Sequence, residues 1–251
     1  MSFAGKAALV TGSSRGIGAA IALAFARSGA DVVVNHRTPG GSSAARAAGV
    51  ADAVRALGRR AVVVPADIGE RRSAEGLVAA AVDKLGRLDF LVLNAARAPF
   101  KPIERLLERE LRQLVETNFL GNLFCLRAAL PSLAEAGGSV VFVSSLGSRV
   151  TTPSYPLGSL KAAMEVVVRD CAASLQPRGV NLNAVCGGLV RTDAVKAMRQ
   201  VWDRLDTVPD DAWVAPEEIA EVVLFLCSPA ARAIRGQTVV VDRGLSSRLL
   251  S

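Results

Sequence analysis

The stretch that most constrains the fold lies within the first thirty residues. A short apolar run, Ala7–Thr11, breaks on Thr11-Gly12-Ser13-Ser14-Arg15-Gly16-Ile17-Gly18 and passes straight into an Ala/Leu-rich helical pattern, Ile17–Ser28. Glycines let the backbone approach a ligand closely, and a helix that opens at the turn offers free N–H groups and the positive end of its dipole. A glycine pattern alone is weak. In a strand–turn–helix context it predicts a dinucleotide pyrophosphate cradled by Gly12, Ser14, Arg15, Gly16, Ile17 and Gly18.

The same rhythm continues along the chain. Strands are predicted at Ala7–Thr11, Asp31–Asn35, Ala61–Pro65, Leu88–Leu93, Ser139–Ser144, Val180–Ala184 and Gln237–Asp242, each a nearly unbroken apolar run of the kind covered on both faces. Between them come helical patterns at Ile17–Ser28, Ser43–Leu57, Ser73–Leu85, Phe119–Leu133, Ser159–Leu175 and Pro216–Cys227. Gly29, Gly58, Gly86, Gly137 and Gly179 stand where helices hand over to strands. This alternation defines the α/β class: a Rossmann-like, doubly wound sheet of about seven parallel strands with helices on both faces. No repeat or linker divides it, so residues 1–251 read as one domain. The segment 187–215 departs from the rhythm, being long, polar and mixed, and two readings stand: a substrate lid or a variable surface excursion.

Composition limits the chemistry. The chain has one tyrosine, Tyr155, and one histidine, His36, so a mechanism needing a phenol must use Tyr155 and a zinc site built on several histidines is excluded. Cys125, Cys171, Cys186 and Cys227 lie far apart with no C-x-x-C pair, which reads as buried thiols in a reducing cytoplasm. A net charge of +7 comes mostly from scattered arginines with no interleaved aromatics. That pattern gives no support for nucleic-acid binding. It reads as a solvated surface or as attraction to acidic ligands, a phosphorylated cofactor or an acidic carrier protein among them. No apolar run approaches the ~18 residues of a membrane span, and the glycine turn comes too early for a signal peptide.

The second strand speaks to cofactor choice. A strand tuned for NAD ends on a carboxylate for the ribose 2′-hydroxyl, whereas this one ends Val34-Asn35-His36-Arg37. Arg37 with Arg15 suits a 2′-phosphate, so NADP(H) is expected. His36 is read as part of this pocket or as a surface residue.

With these residues in hand, the chain resembles the short-chain dehydrogenase/reductase family over nearly its whole length. Thr11–Gly18 matches the family's T-G-x-x-x-G-x-G, Asp67-Ile68 its adenine-holding acid, and Asn94-Ala95-Ala96 its N-A-G with the glycine replaced. Asn118 stands at the structural asparagine, and Ser145, Tyr155 and Lys161 at the Ser/Tyr/Lys catalytic set. Gly187-Gly188-Leu189-Val190-Arg191-Thr192 occupies the P-G segment, so the resemblance places Gly188, Val190 and Thr192 on the cofactor. The commonest family form has tyrosine four residues before the lysine, where this chain has Leu157; Tyr155 lies six before Lys161. Together with Gly187-Gly188, the displaced tyrosine is similar to the NADPH-dependent enoyl-acyl-carrier-protein reductases of type III, although that subgroup has one more intervening residue. Asp242-Arg243-Gly244, where the family usually has D-G-G, is a further departure.

The resemblance implies hydride transfer from NADPH to C3 of a 2-enoyl thioester. Tyr155 would bind the enolate oxygen, Lys161 hold the nicotinamide ribose, and Ser145, or its neighbour Ser144, orient the carbonyl. Asn118 would stabilise a helix irregularity or a water. It further implies a homotetramer, with dimers formed through the helices near Phe119–Leu133 and Ser159–Leu175 and contacts at the last strand. The substrate would be an acyl thioester, on an acidic acyl-carrier protein or otherwise. Two alternatives stand beside it: a ketoreductase of specialised metabolism with a rearranged tyrosine, and a catalytically silent NADP-binding homologue.

Overall fold

Alternate residues of the first strand point into two different cores. A computed structural model describes residues 1–150, 157–199 and 202–248; Tyr155 and Pro156 lie outside the described residues. Strand β1 (Ala7–Val10) sends Ala8 and Val10 to one face and Ala7 and Leu9 to the other, the period-two alternation of a strand covered on both sides. Six further strands join it: β2 (Asp31–His36), β3 (Ala61–Pro65), β4 (Phe90–Leu93), β5 (Ser139–Ser145), β6 (Asn181–Gly187) and β7 (Thr238–Val241). Their order is β3-β2-β1-β4-β5-β6-β7 with every pair parallel, the doubly wound topology that the alternation predicts.

Helices α1 (Gly16–Arg27), α2 (Gly41–Ala56) and α3 (Arg71–Leu85) cross between the first strands. They are followed by α4 (Glu108–Val115), α5 (Gly121–Ala136), α6 (Leu157–Leu175), the short α7 (Asp193–Met198), α8 (Pro216–Cys227) and the terminal turn α9 (Leu245–Arg248). Ile21, Phe25, Ala47, Ala51 and Val223 of α1, α2 and α8 pack on one face of the sheet. Leu77, Leu126, Leu133, Met164 and Val168 of α3, α5 and α6 pack on the other. Each buried Leu, Ile, Phe or Val contributes roughly 1.5–3 kcal/mol of transfer free energy, so the two layers supply the main drive to fold.

The sequence pattern misses one feature. The helix expected to begin at Phe119 is preceded by α4, and a π-helical turn, Glu116–Leu120, joins α4 to α5. A π turn carries an extra residue per turn and is a recurrent mark of functional sites. Here Asn118 sits within it, almost fully buried.

The topological switch point falls between β1 and β4, because the chain winds outward in opposite directions from these two strands. In such sheets ligands bind beyond the carboxyl ends at this crevice.

Candidate active site

The glycine turn after β1 is clamped from both sides. Asn35, at the end of β2, accepts from the Gly12 amide through Oδ1 (2.9 Å) and donates from Nδ2 to the Val64 and Ala66 carbonyls. Asn94, beyond β4, donates from Nδ2 to the Thr11 carbonyl at 2.9 Å and to that of Gly12 at 3.2 Å, while the Thr11 hydroxyl accepts from the Asn94 and Ala95 amides. The fit is tight at Gly18: a Cβ there would lie 2.5 Å from Asn94 Nδ2 and 2.6 Å from the Gly12 carbonyl oxygen. Only glycine lets α1 start this close to the strand ends. Among the described residues no side-chain bond caps the start of α1 at Arg15, and no acidic residue lies in its first turn.

Around this turn opens a cleft of about 900 Å³. Of the residues the sequence singles out, it brings together Gly12, Ser14, Arg15, Gly16, Ile17, Gly18, Arg37, Asp67, Ile68, Asn94, Ala95 and Thr192. His36 lines it as well, almost fully buried, and its Nδ1 has no hydrogen-bond partner among the described residues. Asp67 accepts from the Gly69 amide through Oδ1. Thr192 rests against Gly16, so the segment after β6 reaches over the glycine turn.

Two residues that sequence reasoning misses belong here. Asn35 orders the turn through the bonds just described. Its signal is an amide closing an otherwise apolar strand, a buried polar group that must find partners. Arg46, on α2, reaches the same cleft beside Thr38, Ser42 and Ser43.

The other expected residues that the structure describes are not among those lining this cleft. Asn118 is wholly engaged: Oδ1 accepts from the Arg97 amide, and Nδ2 donates to the Arg97 and Leu114 carbonyls, all at 2.9 Å. Its own carbonyl accepts from Asn122 Nδ2. The side chain thus fastens the π turn to the loop following Asn94. Lys161, on α6, is only 4% exposed; it donates from Nζ to the Val143 carbonyl and lies 4.6 Å from the Phe142 ring centre. Burial pushes its ammonium down to about 8, against smaller opposing pulls from Cys186 and Glu165. At the end of β5 the two serines differ. Ser144 donates to Glu165, whereas the buried Ser145 Oγ has no partner among the described residues. The structure therefore leaves the uncommitted hydroxyl on Ser145.

Gly188 and Val190 shape the exit from β6. The Gly188 amide donates to the Val241 carbonyl, and a Cβ at this position would lie 2.8 Å from Asp242 Cα. Val190 packs into the core and forms an isolated parallel bridge with Val214, closing the base of the excursion between them. Inside that excursion Leu205 and Ala212 are buried, and Arg191 pairs with Asp210 and lies over the Trp213 ring.

A doubly wound sheet with a glycine turn at its switch point, a buried lysine, and a serine hydroxyl without a partner among the described residues fit a dinucleotide-dependent oxidoreductase. The chain belongs to the short-chain dehydrogenase/reductase family: the family model described as enoyl-(acyl carrier protein) reductase matches residues 12–246. It is 38% identical to an uncharacterised oxidoreductase of Methylorubrum extorquens, covering 96% of this chain and 98% of the relative. It is 36% identical to the 1-cyclohexenylcarbonyl-CoA reductase of Streptomyces collinus, covering 96% and 87%. A short chain dehydrogenase from Burkholderia cenocepacia, solved in complex with NADP, superimposes with a TM-score of 0.88 at 31% identity over 97% of this chain and 98% of that one.

Proposed function

We propose that the protein reduces the carbon–carbon double bond of a 2-enoyl thioester with NADPH. One observation carries this reading: the position one helical turn before Lys161 holds Leu157, which has no hydroxyl and is 2% exposed. A ketone-reducing site needs its proton donor next to the carbon that receives hydride, because the new C–H and O–H bonds form on adjacent atoms. In a 2-enoyl thioester the negative charge develops on the carbonyl oxygen, several bonds from C3, and a donor set farther away serves it better. Tyr155, the chain's single phenol and outside the described residues, is that donor in this reading. The description of the matching family model supports it, as does a relative named for a cyclohexenyl carbonyl thioester.

NADP(H) suits the residues present. Gly12 and Gly18 line the cleft without a side chain, no side chain among the described residues caps the start of α1, and Arg15, Arg37 and Arg46 line the same cleft. The α1 turn would hold the pyrophosphate, the three arginines the 2′-phosphate, and Asp67 with Ile68 the adenine; the neighbour solved with NADP supports this assignment. When bound, the cofactor supplies the hydride. Lys161 would donate to the ribose hydroxyls and, as a cation, favour the phenolate of Tyr155. Ser145 orients the thioester carbonyl with its uncommitted hydroxyl, and Asn118 keeps the loop that follows Asn94 in place.

In the same reading residues 1–251 act as one domain and 187–215 covers the substrate. The acyl group arrives on CoA or on an acidic carrier protein drawn to the basic surface. A cytoplasmic homotetramer is the expected form. No described helix is long and apolar enough to cross a membrane, and the exposed Leu111, Val115, Val166 and Val240 are the surfaces that copies of the chain would cover.

The test is loss of NADPH absorbance with crotonyl-CoA and with acetoacetyl-CoA in parallel. Oxidation with crotonyl-CoA, diminished in Tyr155→Phe, is expected. Oxidation with acetoacetyl-CoA alone makes the protein a ketoreductase and overturns the proposal. Binding of NADPH without turnover of either makes it a silent homologue.

A further inference from the structure

At the end of β5 lies a polar cluster that the reaction described above does not use. Its centre is Glu165, one helical turn beyond Lys161 on α6, with its side chain 13% exposed. Three donors converge on this carboxylate. Ser144 Oγ donates to Oε1, the Ser148 hydroxyl lies 2.7 Å from the same oxygen, and Arg149 Nη2 reaches Oε2 at 3.0 Å. The Ser148 hydroxyl also lies 2.8 Å from the Ser145 carbonyl oxygen, so it stands between Glu165 and the backbone of Ser145. Burying a carboxylate is costly unless its lone pairs are filled, and here they are filled by residues on either side of Ser145.

We propose that Glu165 is the positioning residue of this site: it selects Ser145 over Ser144 as the serine with a free hydroxyl and locks the Ser145 turn to the helix that carries Lys161. The inference rests on the reading that Ser145 and Lys161 serve the reduction. Adjacent serines at the end of a strand face opposite sides of the sheet. Glu165 holds the Ser144 hydroxyl, whose residue pairs in register with Cys186, while Ser145 is left without a partner among the described residues. The junction has no slack. A Cβ at Gly158, in the first turn of α6, would fall 2.0 Å from the Gly147 carbonyl oxygen, so helix and turn are in backbone contact. A shift of the turn is therefore a shift of Ser145 relative to Lys161.

The charge of Glu165 acts on the same neighbours. It raises both the Lys161 ammonium and the buried Cys186 thiol, while Ser148 and Arg149 pull Cys186 the other way. Among the described residues these are the charged and titratable groups that meet at the cluster, contributed by α6, β6 and the turn after β5.

Two readouts separate positioning from a merely structural ion pair. The first is turnover of whichever thioester the wild-type protein reduces. The second needs no turnover: NMR titration of Lys161 in protein labelled at its lysine side chains. The chain has only five, Lys6, Lys84, Lys101, Lys161 and Lys196, and Lys161→Met assigns the signal. In Glu165→Gln the carboxamide keeps an oxygen for the serines but loses the charge. We expect kcat to fall about tenfold to a hundredfold with KM for NADPH little changed, and the Lys161 titration to move down. Glu165→Asp keeps the charge but shortens the reach, so it should restore the titration and not kcat. Wild-type kcat together with an unmoved titration in Glu165→Gln overturns the proposal. If that variant fails to fold, Ser148→Ala decides: a kcat loss of about threefold or more supports positioning, and wild-type kcat overturns it. Should the wild-type protein reduce no thioester, the proposed function fails, and a crystal structure of Glu165→Gln decides: release of Ser144 with a displaced Ser145 turn supports positioning, and an unmoved turn overturns it.

Discussion

Lys161 offers the sharpest quantitative test. In the free protein its ammonium is buried against the Val143 carbonyl and the Phe142 ring, which brings its titration down to about 8. A lysine in water titrates near 10.4, so burial disfavours the charged form by about 3 kcal/mol. If the ribose hydroxyls and the phosphates of NADPH restore the ammonium, binding must take up a proton. At pH 9 the free protein holds about a tenth of a proton on Lys161 and the complex nearly a full one, an uptake of about 0.9; at pH 7 the uptake is about 0.1. Calorimetry of NADPH binding in buffers of different ionisation enthalpy reads this number directly, and Lys161→Met should abolish it. The sign for stability follows from the same shift. Because the folded titration lies below the unfolded one, the buried charge destabilises the free protein fully below pH 8. That penalty is relieved as pH rises from 8 toward 10.4. Lys161→Met should therefore raise Tm by several degrees at pH 7 and by little at pH 10, since about 3 kcal/mol is the ceiling and each kcal/mol shifts a chain of this length by roughly 2–4 °C. A free-protein titration of Lys161 near 10.4, or proton uptake that persists in Lys161→Met, refutes the reasoning.

Two further outcomes follow from the packing. Gly18→Ala forces a methyl between Asn94 Nδ2 and the Gly12 carbonyl and should cost about 1–3 kcal/mol of stability while weakening NADPH binding at least tenfold, measured by thermal unfolding and cofactor fluorescence. Asp89 is buried beneath β1, and burial alone would raise its carboxyl. The Arg87 guanidinium, the Ala7 amide and the Lys6 ammonium together hold it below the usual carboxylate range instead. Its stabilisation is present above the ordinary carboxylate range near pH 4 and is lost as pH falls through the depressed value, so Asp89→Asn should be markedly less stable at pH 7 and its deficit should shrink as the pH is lowered below that range.

The strands were legible because parallel strands covered on both faces appear as unbroken apolar runs, and the glycine turn because its spacing is dictated by backbone contact at Gly18. Helix α4 was not. Its polar residues outnumber its apolar ones, and Leu107, Leu111 and Val115 repeat every four residues on a face that stays exposed in the single chain. The π turn escapes periodicity as well, since the slip in hydrogen bonding coincides with the grip of Asn118 on Arg97, a contact across twenty-one positions. In sequence, nothing distinguishes Arg46 and Glu165 from ordinary solvated charges on helices. Their meaning depends on which strand end each helix packs beside, and that is a tertiary fact. The order of the two serines was legible only as a pair, and it took the Glu165 carboxylate to tell them apart.

The bridge between Val190 and Val214, flanked by bonds from the Arg191 amide to the Val214 carbonyl and from the Val214 amide to the Leu189 carbonyl, has an evolutionary consequence. It makes the intervening stretch a cassette, fastened at both ends to an unchanging frame. Lengthening a loop whose ends are already held together costs little chain entropy, since each doubling adds only about 0.6 kcal/mol. A lineage can therefore exchange or extend this stretch without renegotiating the sheet.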